Sequence, residues 1–318
     1  MVRTLICTGF MNQYRTVKTK LILASKGAAM GIADIIPGVS GGTIAFISGI
    51  YEHLISAIYS VKPVHALSAL KLILFFWHRQ HRKQALSSLL EIHWSFLLPL
   101  FSGAIAAILL MSRIIPYLLE YYPFYMYSLF FGLIACSIPL VYKKMDRDLK
   151  SFCLLAVFAV MMFVLMGFTS GFSGSTNLWY VFISGVIAIS AMILPGISGS
   201  YILLLLGQYT LVLDALRQKD LIFLAVFISG LVIGILSFAR VLKYLLKQHH
   251  SATFASLTGI MLGSLRAIWP GNFPPQTGIT TITILLSLLV MLLGAATILL
   301  LSHLSVAVGD PEPPDEDL

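Results

Sequence analysis

The chain has few charged residues and few cysteines for its length. Only 11% of its 318 residues are charged, whereas 58% are hydrophobic. A soluble domain of this size cannot bury so much apolar surface, so the composition excludes a soluble globular protein and predicts an integral membrane protein that crosses the bilayer several times. The three cysteines, Cys7, Cys136 and Cys153, are scattered and include no CxxC pair. Neither a disulfide framework nor a cysteine-rich metal site is therefore expected.

Sequence patterns of known catalytic and metal sites are missing as well. The chain has no HExxH pattern and no cluster of His, Asp and Arg residues, and Ser40 and Ser198 have no candidate base close in sequence. We therefore expect no catalytic residues, no metal and no cofactor; an intramembrane enzyme that acts on lipid phosphates is the less favoured alternative. The net charge of +8 does not indicate nucleic acid, because the basic residues lie in short loops and form no continuous face.

Two apolar segments of the chain are interrupted in the same way. Residues 34–43 read DIIPGVSGGT, and residues 191–201 read AMILPGISGSY. Proline removes a backbone donor and glycine favours non-helical backbone, so neither segment is expected to form one continuous spanning helix. A shift of 158 residues carries Pro37, Gly38, Ser40 and Gly41 onto Pro195, Gly196, Ser198 and Gly199. Interrupted apolar segments at corresponding positions of two halves point to the binding site of a transporter.

The apolar segments that follow each interruption also repeat. A shift of 127 residues carries Gly103 onto Gly230 and Arg113 onto Arg240. The predicted fold is thus an all-α integral membrane protein with two inverted repeats, each a re-entrant broken-helix hairpin plus three transmembrane helices. Repeat 1 covers 21–169, with a hairpin at 21–60, a basic interfacial stretch at 62–94 and spans at 95–118, 123–142 and 151–169. Repeat 2 covers 179–302, with a hairpin at 179–216 and spans at 221–246, 252–270 and 279–302.

The distribution of basic residues predicts the orientation of these repeats. If each hairpin re-enters and leaves on its own side, 15 of the 21 Lys and Arg residues are cytoplasmic and only Arg217 and Lys219 are outside. Cytoplasmic loops are enriched in Lys and Arg, so this arrangement is favoured over hairpins that cross the membrane. Both termini are then cytoplasmic, namely the basic segment 1–20 and the acidic tail 303–318, which is expected to be disordered.

The tips of the two hairpins are the predicted substrate site. The sequences GVSGG and GISGS can present successive backbone N–H groups and hydroxyls, an arrangement that suits phosphate. The alternative is that the small residues only allow two hairpins to pack closely. The predicted substrate-binding residues at the tips are Gly38, Ser40, Gly41, Gly42, Thr43, Gly196, Ser198, Gly199 and Ser200.

Charged residues inside apolar segments complete the predicted site. Arg113, Arg240 and Arg266 are candidate phosphate ligands because a guanidinium group stays charged and can donate two hydrogen bonds; snorkelling to the headgroups is the alternative. Lys26 opens the first hairpin and is a further candidate ligand. Asp34 is the candidate coupling group for a proton or sodium ion, and a cap or a partner for Lys26 is the alternative.

Residues 26–43, KGAAMGIADIIPGVSGGT, and their echo LPGISGS at 194–200 resemble a bacterial membrane family formerly known only as a domain of unknown function and now described as polyprenyl-phosphate transporters (PopT-type). The resemblance covers residues 20–302 and departs from the first motif at Ser200 and Tyr201, which stand in place of Gly42 and Thr43. It implies a transporter that moves undecaprenyl phosphate, a lipid carrier, across the bacterial inner membrane for recycling in cell-envelope glycan synthesis. The competing function is a secondary transporter or channel for a small soluble anion.

Overall fold

The computed structural model of the chain describes residues 17–36, 38–61, 64–65, 68, 89–168, 173–275, 278 and 280–307. These residues form thirteen α-helices and a short 3-10 helix at Pro270–Asn272, and they include no strand. The prediction of an all-α protein is therefore confirmed.

The helices of the first half begin with three short or interrupted elements and continue with longer ones. They are α1 (Val17–Ile35), α2 (Gly41–Ile47), α3 (Tyr51–Tyr59), α4 (Trp94–Met111), α5 (Ile114–Tyr121), α6 (Pro123–Tyr142) and α7 (Leu149–Leu165). The described residues of the second half form helices in the same order, without a counterpart of α5. Its helices are α8 (Leu178–Ile193), α9 (Gly199–Leu205), α10 (Tyr209–Gln218), α11 (Leu221–Gln248), α12 (His250–Ser264) and α13 (Thr281–Ala307).

Several of these helices are long and apolar enough to cross a membrane. Within the described part of the chain they are α4, α6, α11 and the Thr281–Leu300 part of α13. Helices α7 and α8 are apolar but shorter, and α9 and α10 are bent by 101° at the turn between them. A bilayer requires about 20 apolar residues per helical span, so the chain is a multi-pass membrane protein.

The helices overlap the predicted segments, and several of their ends differ from the predicted ones. The segment predicted as one span at 95–118 is two helices, because α4 ends at Met111 and α5 begins at Ile114. Pro116 explains this break, since its ring clashes with the carbonyl four residues earlier and it lacks the donor for that hydrogen bond. Helix α13 continues to Ala307, which lies inside the predicted tail 303–318. Most of the basic stretch 62–94 and residues 1–16 lie outside the described residues.

Helix pairing is the same in the two halves. The first helix of each hairpin packs along the next long helix of its own half, so α1 contacts α4 and α8 contacts α11. The other long helices pair across the halves, α6 with α13 and α12 with α7. Helices α6 and α7 of the first half therefore pack on helices α13 and α12 of the second, and the two halves form one interlocked bundle.

Glycines lie where these paired helices approach most closely. At each position a carbonyl of the partner helix occupies the space that a Cβ atom would need, so only glycine permits the contact. The sequence shifts of 158 and 127 residues, which align the two halves, also carry the two contacts between α1 and α4 onto the two contacts between α8 and α11. The four contacts are Gly27 on Leu100, Gly103 on Ala24, Gly185 on Phe227 and Gly230 on Phe182.

The hairpins also repeat each other in backbone conformation. Gly38 and Gly196 have φ angles of 87° and 91°, and Gly49 and Gly207 have φ angles of 74° and 66°. Residues with a side chain rarely adopt this left-handed region, so glycine is required at all four turns. The interruptions predicted from the sequence therefore coincide with real breaks between α1 and α2 and between α8 and α9.

Candidate functional site

The tip of the first hairpin is closed by its own polar side chains. Ser40 caps helix α2, and its Oγ accepts a hydrogen bond from the backbone N–H of Gly42 at 3.1 Å. The carboxylate of Asp34, at the end of α1, accepts a hydrogen bond from the backbone N–H of Gly41 at 2.7 Å. A Cβ atom at Gly41 would lie 2.6 Å from that carboxylate, so glycine is needed for the contact. An acidic group therefore sits at the start of α2.

The tip of the second hairpin has the same backbone path and different side-chain chemistry. Ser198 precedes helix α9, but its hydroxyl shares a hydrogen bond with the hydroxyl of Ser200 at 2.8 Å and does not cap the helix. Met192 stands in the position that corresponds to Asp34, and a thioether is only a weak acceptor. The second tip thus carries two adjacent hydroxyls and no acid equivalent to Asp34.

The two tips are hydrogen-bonded to each other. The Ser40 hydroxyl donates to the carbonyl of Met192 at 3.0 Å, and the backbone N–H of Gly196 donates to Oγ1 of Thr43 at 2.9 Å. Ser40 and Thr43 are fully buried. A Cβ atom at Gly42 would lie 2.7 Å from a carbonyl at the end of α8, so this glycine serves the close approach of the hairpins. Close packing accounts for these contacts, and a role in phosphate binding stays a prediction.

The end of helix α12 and the turn after it contact both tips. A Cβ atom at Gly38 would lie 2.9 Å from a methyl carbon of Ile268. One at Gly196 would lie 2.9 Å from the Cα atom of Met261 and 3.0 Å from Oγ of Ser264. This turn therefore bridges the two hairpins at the point where they meet.

Arg266 lies in the bridging turn. Its Nη1 donates to the carbonyl of Phe163 at 2.9 Å, and its guanidinium carbon lies 4.4 Å from the centre of the Phe163 ring. The hydroxyl of Tyr201, which belongs to α9, lies 3.5 Å from the carbonyl oxygen of Phe168, just after the end of α7. Arg266 is half-buried, and its guanidinium lies at the same end of α7 that Tyr201 approaches.

The other predicted basic residues lie elsewhere. Arg113 is exposed at the break between α4 and α5, and Arg240 is half-buried within α11. In the described ranges no hydrogen bond or ion pair joins either arginine to a hairpin tip. Lys26 is half-buried on α1, about two helical turns before Asp34. Among the three candidate arginines, Arg266 is the one that lies, within the described part of the chain, in the turn whose neighbouring residues contact both tips.

Two residues of this arrangement were missed by sequence reasoning. Tyr201 stands where the first motif has Thr43. This difference between the two motifs was the signal that could have marked it. Phe163 lies in an apolar segment whose composition gives no such signal. In sequence, a phenylalanine that contacts an arginine cannot be distinguished from the other apolar residues of a membrane helix.

The architecture and the site define the class of this protein. Two interrupted segments meet inside a bundle of apolar helices, with buried hydroxyls at the meeting point and an arginine in the adjoining turn. Interrupted helices of this kind form the substrate sites of many membrane transporters.

Comparison with known proteins narrows this class to a family. The chain belongs to the VCA0040-like, undecaprenyl phosphate translocase-like family, whose model matches residues 30–283. A polyprenyl-phosphate transporter of Vibrio cholerae serotype O1 is 42% identical over 250 residues, which cover 77% of this chain and 76% of that relative. A polyprenyl-phosphate transporter of Staphylococcus aureus is 30% identical over 274 residues, which cover 79% of this chain and 87% of that relative. No solved structure matches the chain. The predicted family is therefore confirmed.

Proposed function

We propose that this protein translocates undecaprenyl phosphate across the bacterial inner membrane, so that the lipid carrier is recycled for cell-envelope glycan synthesis. The observation that carries this proposal is the 42% identity, over most of the chain, to a protein named polyprenyl-phosphate transporter. A small soluble anion is the alternative substrate, because it would use the same phosphate-binding groups.

The charged headgroup is the part of this lipid that needs the protein, because a phosphate cannot enter the hydrocarbon region unaided. Arg266 can donate to phosphate oxygens through its planar fork, and the hydroxyls of Ser198 and Ser200 lie on the adjoining hairpin. The prenyl tail stays in the surrounding lipid while the headgroup passes the tips. Moving the lipid in this way breaks no covalent bond, which agrees with the naming of the relatives as transporters.

The hairpins are proposed to be re-entrant and to enter from opposite sides of the membrane. Two segments that enter from opposite sides and turn back would meet in the interior of the membrane. The bonds from Ser40 to Met192 and from Gly196 to Thr43, which join the two tips, support such a meeting. The 101° bend between α9 and α10 and the matched helix pairs of the two halves also support this arrangement. Both termini are then cytoplasmic.

This topology predicts which loops are accessible from outside the cell. In a variant without its native cysteines, Asn272→Cys should react with a membrane-impermeant maleimide in intact cells, whereas Leu90→Cys should react only after lysis. Both side chains are exposed, so accessibility is decided by the membrane. Labelling of Leu90→Cys in intact cells would show that the first hairpin crosses the bilayer.

Transport in proteoliposomes tests the function directly. Liposomes that hold the purified protein should equilibrate undecaprenyl phosphate between their leaflets faster than protein-free liposomes, as measured by the lipid that an external phosphatase can reach. A proton gradient should bias the distribution if Asp34 couples transport to protons. Uptake of inorganic phosphate without movement of the lipid would instead establish the soluble-anion alternative.

A further inference from the structure

We propose that Gly167 is a positioning residue for Arg266, holding its guanidinium beside the second hairpin before substrate arrives. The inference rests on the proposed role of Arg266 in phosphate binding. Gly167 follows helix α7, which ends at Leu165, and it lies within the segment predicted as the third span. No sequence pattern marks it, because an isolated glycine near the end of an apolar span is common.

The space beside Gly167 is filled by the arginine. A Cβ atom on this glycine would lie 2.5 Å from Cζ and Nη1 of Arg266 and 2.6 Å from Nη2. These distances are far below van der Waals contact, so any side chain at this position must displace the guanidinium. The atoms that would move are the end of a flexible side chain and not backbone. Gly167 also has no positive φ angle, so alanine suits its backbone. A methyl group should therefore disturb the arginine and leave the fold intact.

Three contacts from one helix end fix the position of the guanidinium. Nη1 donates to the carbonyl of Phe163, the Phe163 ring lies 4.4 Å from the guanidinium carbon, and Gly167 lies against Nη1, Nη2 and Cζ. Phe163 lies in the last turn of α7 and Gly167 follows shortly after its last residue, so both are at the same end of this helix. The hydrogen bond to Phe163 uses one of the five N–H donors of arginine, so the fork keeps donors for a phosphate group.

A positioned arginine binds its ligand more tightly than a mobile one. Ordering a long side chain on binding costs free energy, and a side chain that is already held in place avoids that cost. Gly167 and Phe163 therefore contribute to affinity although neither needs to touch the substrate.

Binding of undecaprenyl phosphate to the purified full-length protein in detergent tests this inference. Arg266→Ala should weaken binding roughly 10- to 100-fold, as expected for loss of a charge-assisted contact. Gly167→Ala should weaken binding roughly 10-fold, because the charge remains and only its position is lost. The double variant should bind no more weakly than Arg266→Ala, because Gly167 acts only through the arginine.

Gly271→Ala is the matched control. Its added methyl group would lie 2.5 Å from Nε1 of Trp269, so it displaces the exposed indole ring of a different residue close to Arg266 in sequence. It should bind as the wild type does. Phe163→Leu is a second variant, which keeps the carbonyl and removes the ring; it should weaken binding only when Arg266 is present.

The possible outcomes separate the inference from the function on which it rests. If Arg266→Ala binds as tightly as the wild type, the proposed role of Arg266 is wrong. If Arg266→Ala binds weakly but Gly167→Ala and Phe163→Leu bind normally, the positioning role is wrong. It is also wrong if the losses from Gly167→Ala and Arg266→Ala multiply in the double variant. If Gly167→Ala does not fold, the positioning role is tested with Phe163→Leu instead, by comparing binding to the single variant and to the double variant with Arg266→Ala.

Discussion

Thr43→Val is expected to loosen the junction of the two hairpin tips and to lower the free energy of unfolding by about 1–2 kcal/mol. Valine has nearly the shape of threonine but cannot accept the hydrogen bond that the backbone N–H of Gly196 donates to Thr43 at 2.9 Å. The position is fully buried, so water cannot replace the lost acceptor. Because the bond joins the two halves, the loss should also change transport, since any movement of one hairpin past the other must break it.

Thr258→Val is the matched control for this change. Thr258 is also fully buried, but its hydroxyl donates within its own helix, to the carbonyl of Phe254 at 2.7 Å. Its replacement removes a hydroxyl, but it leaves no backbone N–H group of another helix or turn without its acceptor. Unfolding of both purified variants in detergent, followed against denaturant, measures the difference. Equal stability of the two variants would mean that the bond between the tips contributes nothing measurable.

If Asp34 is the coupling group, Asp34→Asn should abolish the effect of a proton or sodium gradient on transport while the protein still folds. The asparagine side-chain oxygen can accept the same hydrogen bond that Asp34 accepts from Gly41 at 2.7 Å, so the start of α2 keeps its cap. An amide carries no charge and does not titrate, so it can neither release a proton nor attract a sodium ion. Transport should then become the same with and without a proton or sodium gradient.

Two further variants separate coupling from folding. Asp34→Leu removes the acceptor as well as the charge, so it should lower both transport and stability. Glu52→Gln removes a carboxylate from the same hairpin, one that is paired with Lys144 at 2.8 Å, and should leave the gradient response intact. Translocation in proteoliposomes with imposed gradients measures all three. A normal gradient response in Asp34→Asn would assign this residue to capping alone.

Helix positions were largely predictable because membrane helices must satisfy their backbone internally and are marked by long apolar runs. Helix α6 occupies 123–142, the predicted segment, because a proline starts it and charged residues follow it. The break after Met111 was not predicted, because one proline can start a helix, kink it or end it, and the local sequence does not distinguish these outcomes.

The candidate site was predictable in part. The glycines at the turns were visible because only glycine tolerates their backbone angles, and they occur at matching positions in both halves. The choice among the arginines was not visible, because Arg113, Arg240 and Arg266 have the same chemistry and similar apolar surroundings in sequence. In the described part of the chain, Arg266 is the one that lies in the turn after α12, whose neighbouring residues contact both tips, and its side chain is held by residues far away along the chain.

The sequence by itself determined the membrane class, the two broken segments and the duplicated order of helices, because composition, helix breakers and periodic apolar runs act locally. The tertiary structure alone decided that α6 packs on α13 and α7 on α12, and that Ser40 and Thr43 hold the second hairpin. It also decided that Gly167 lies against Arg266. These contacts join residues about 100 or more positions apart, and they depend on the close approach of whole helices, which no local pattern specifies.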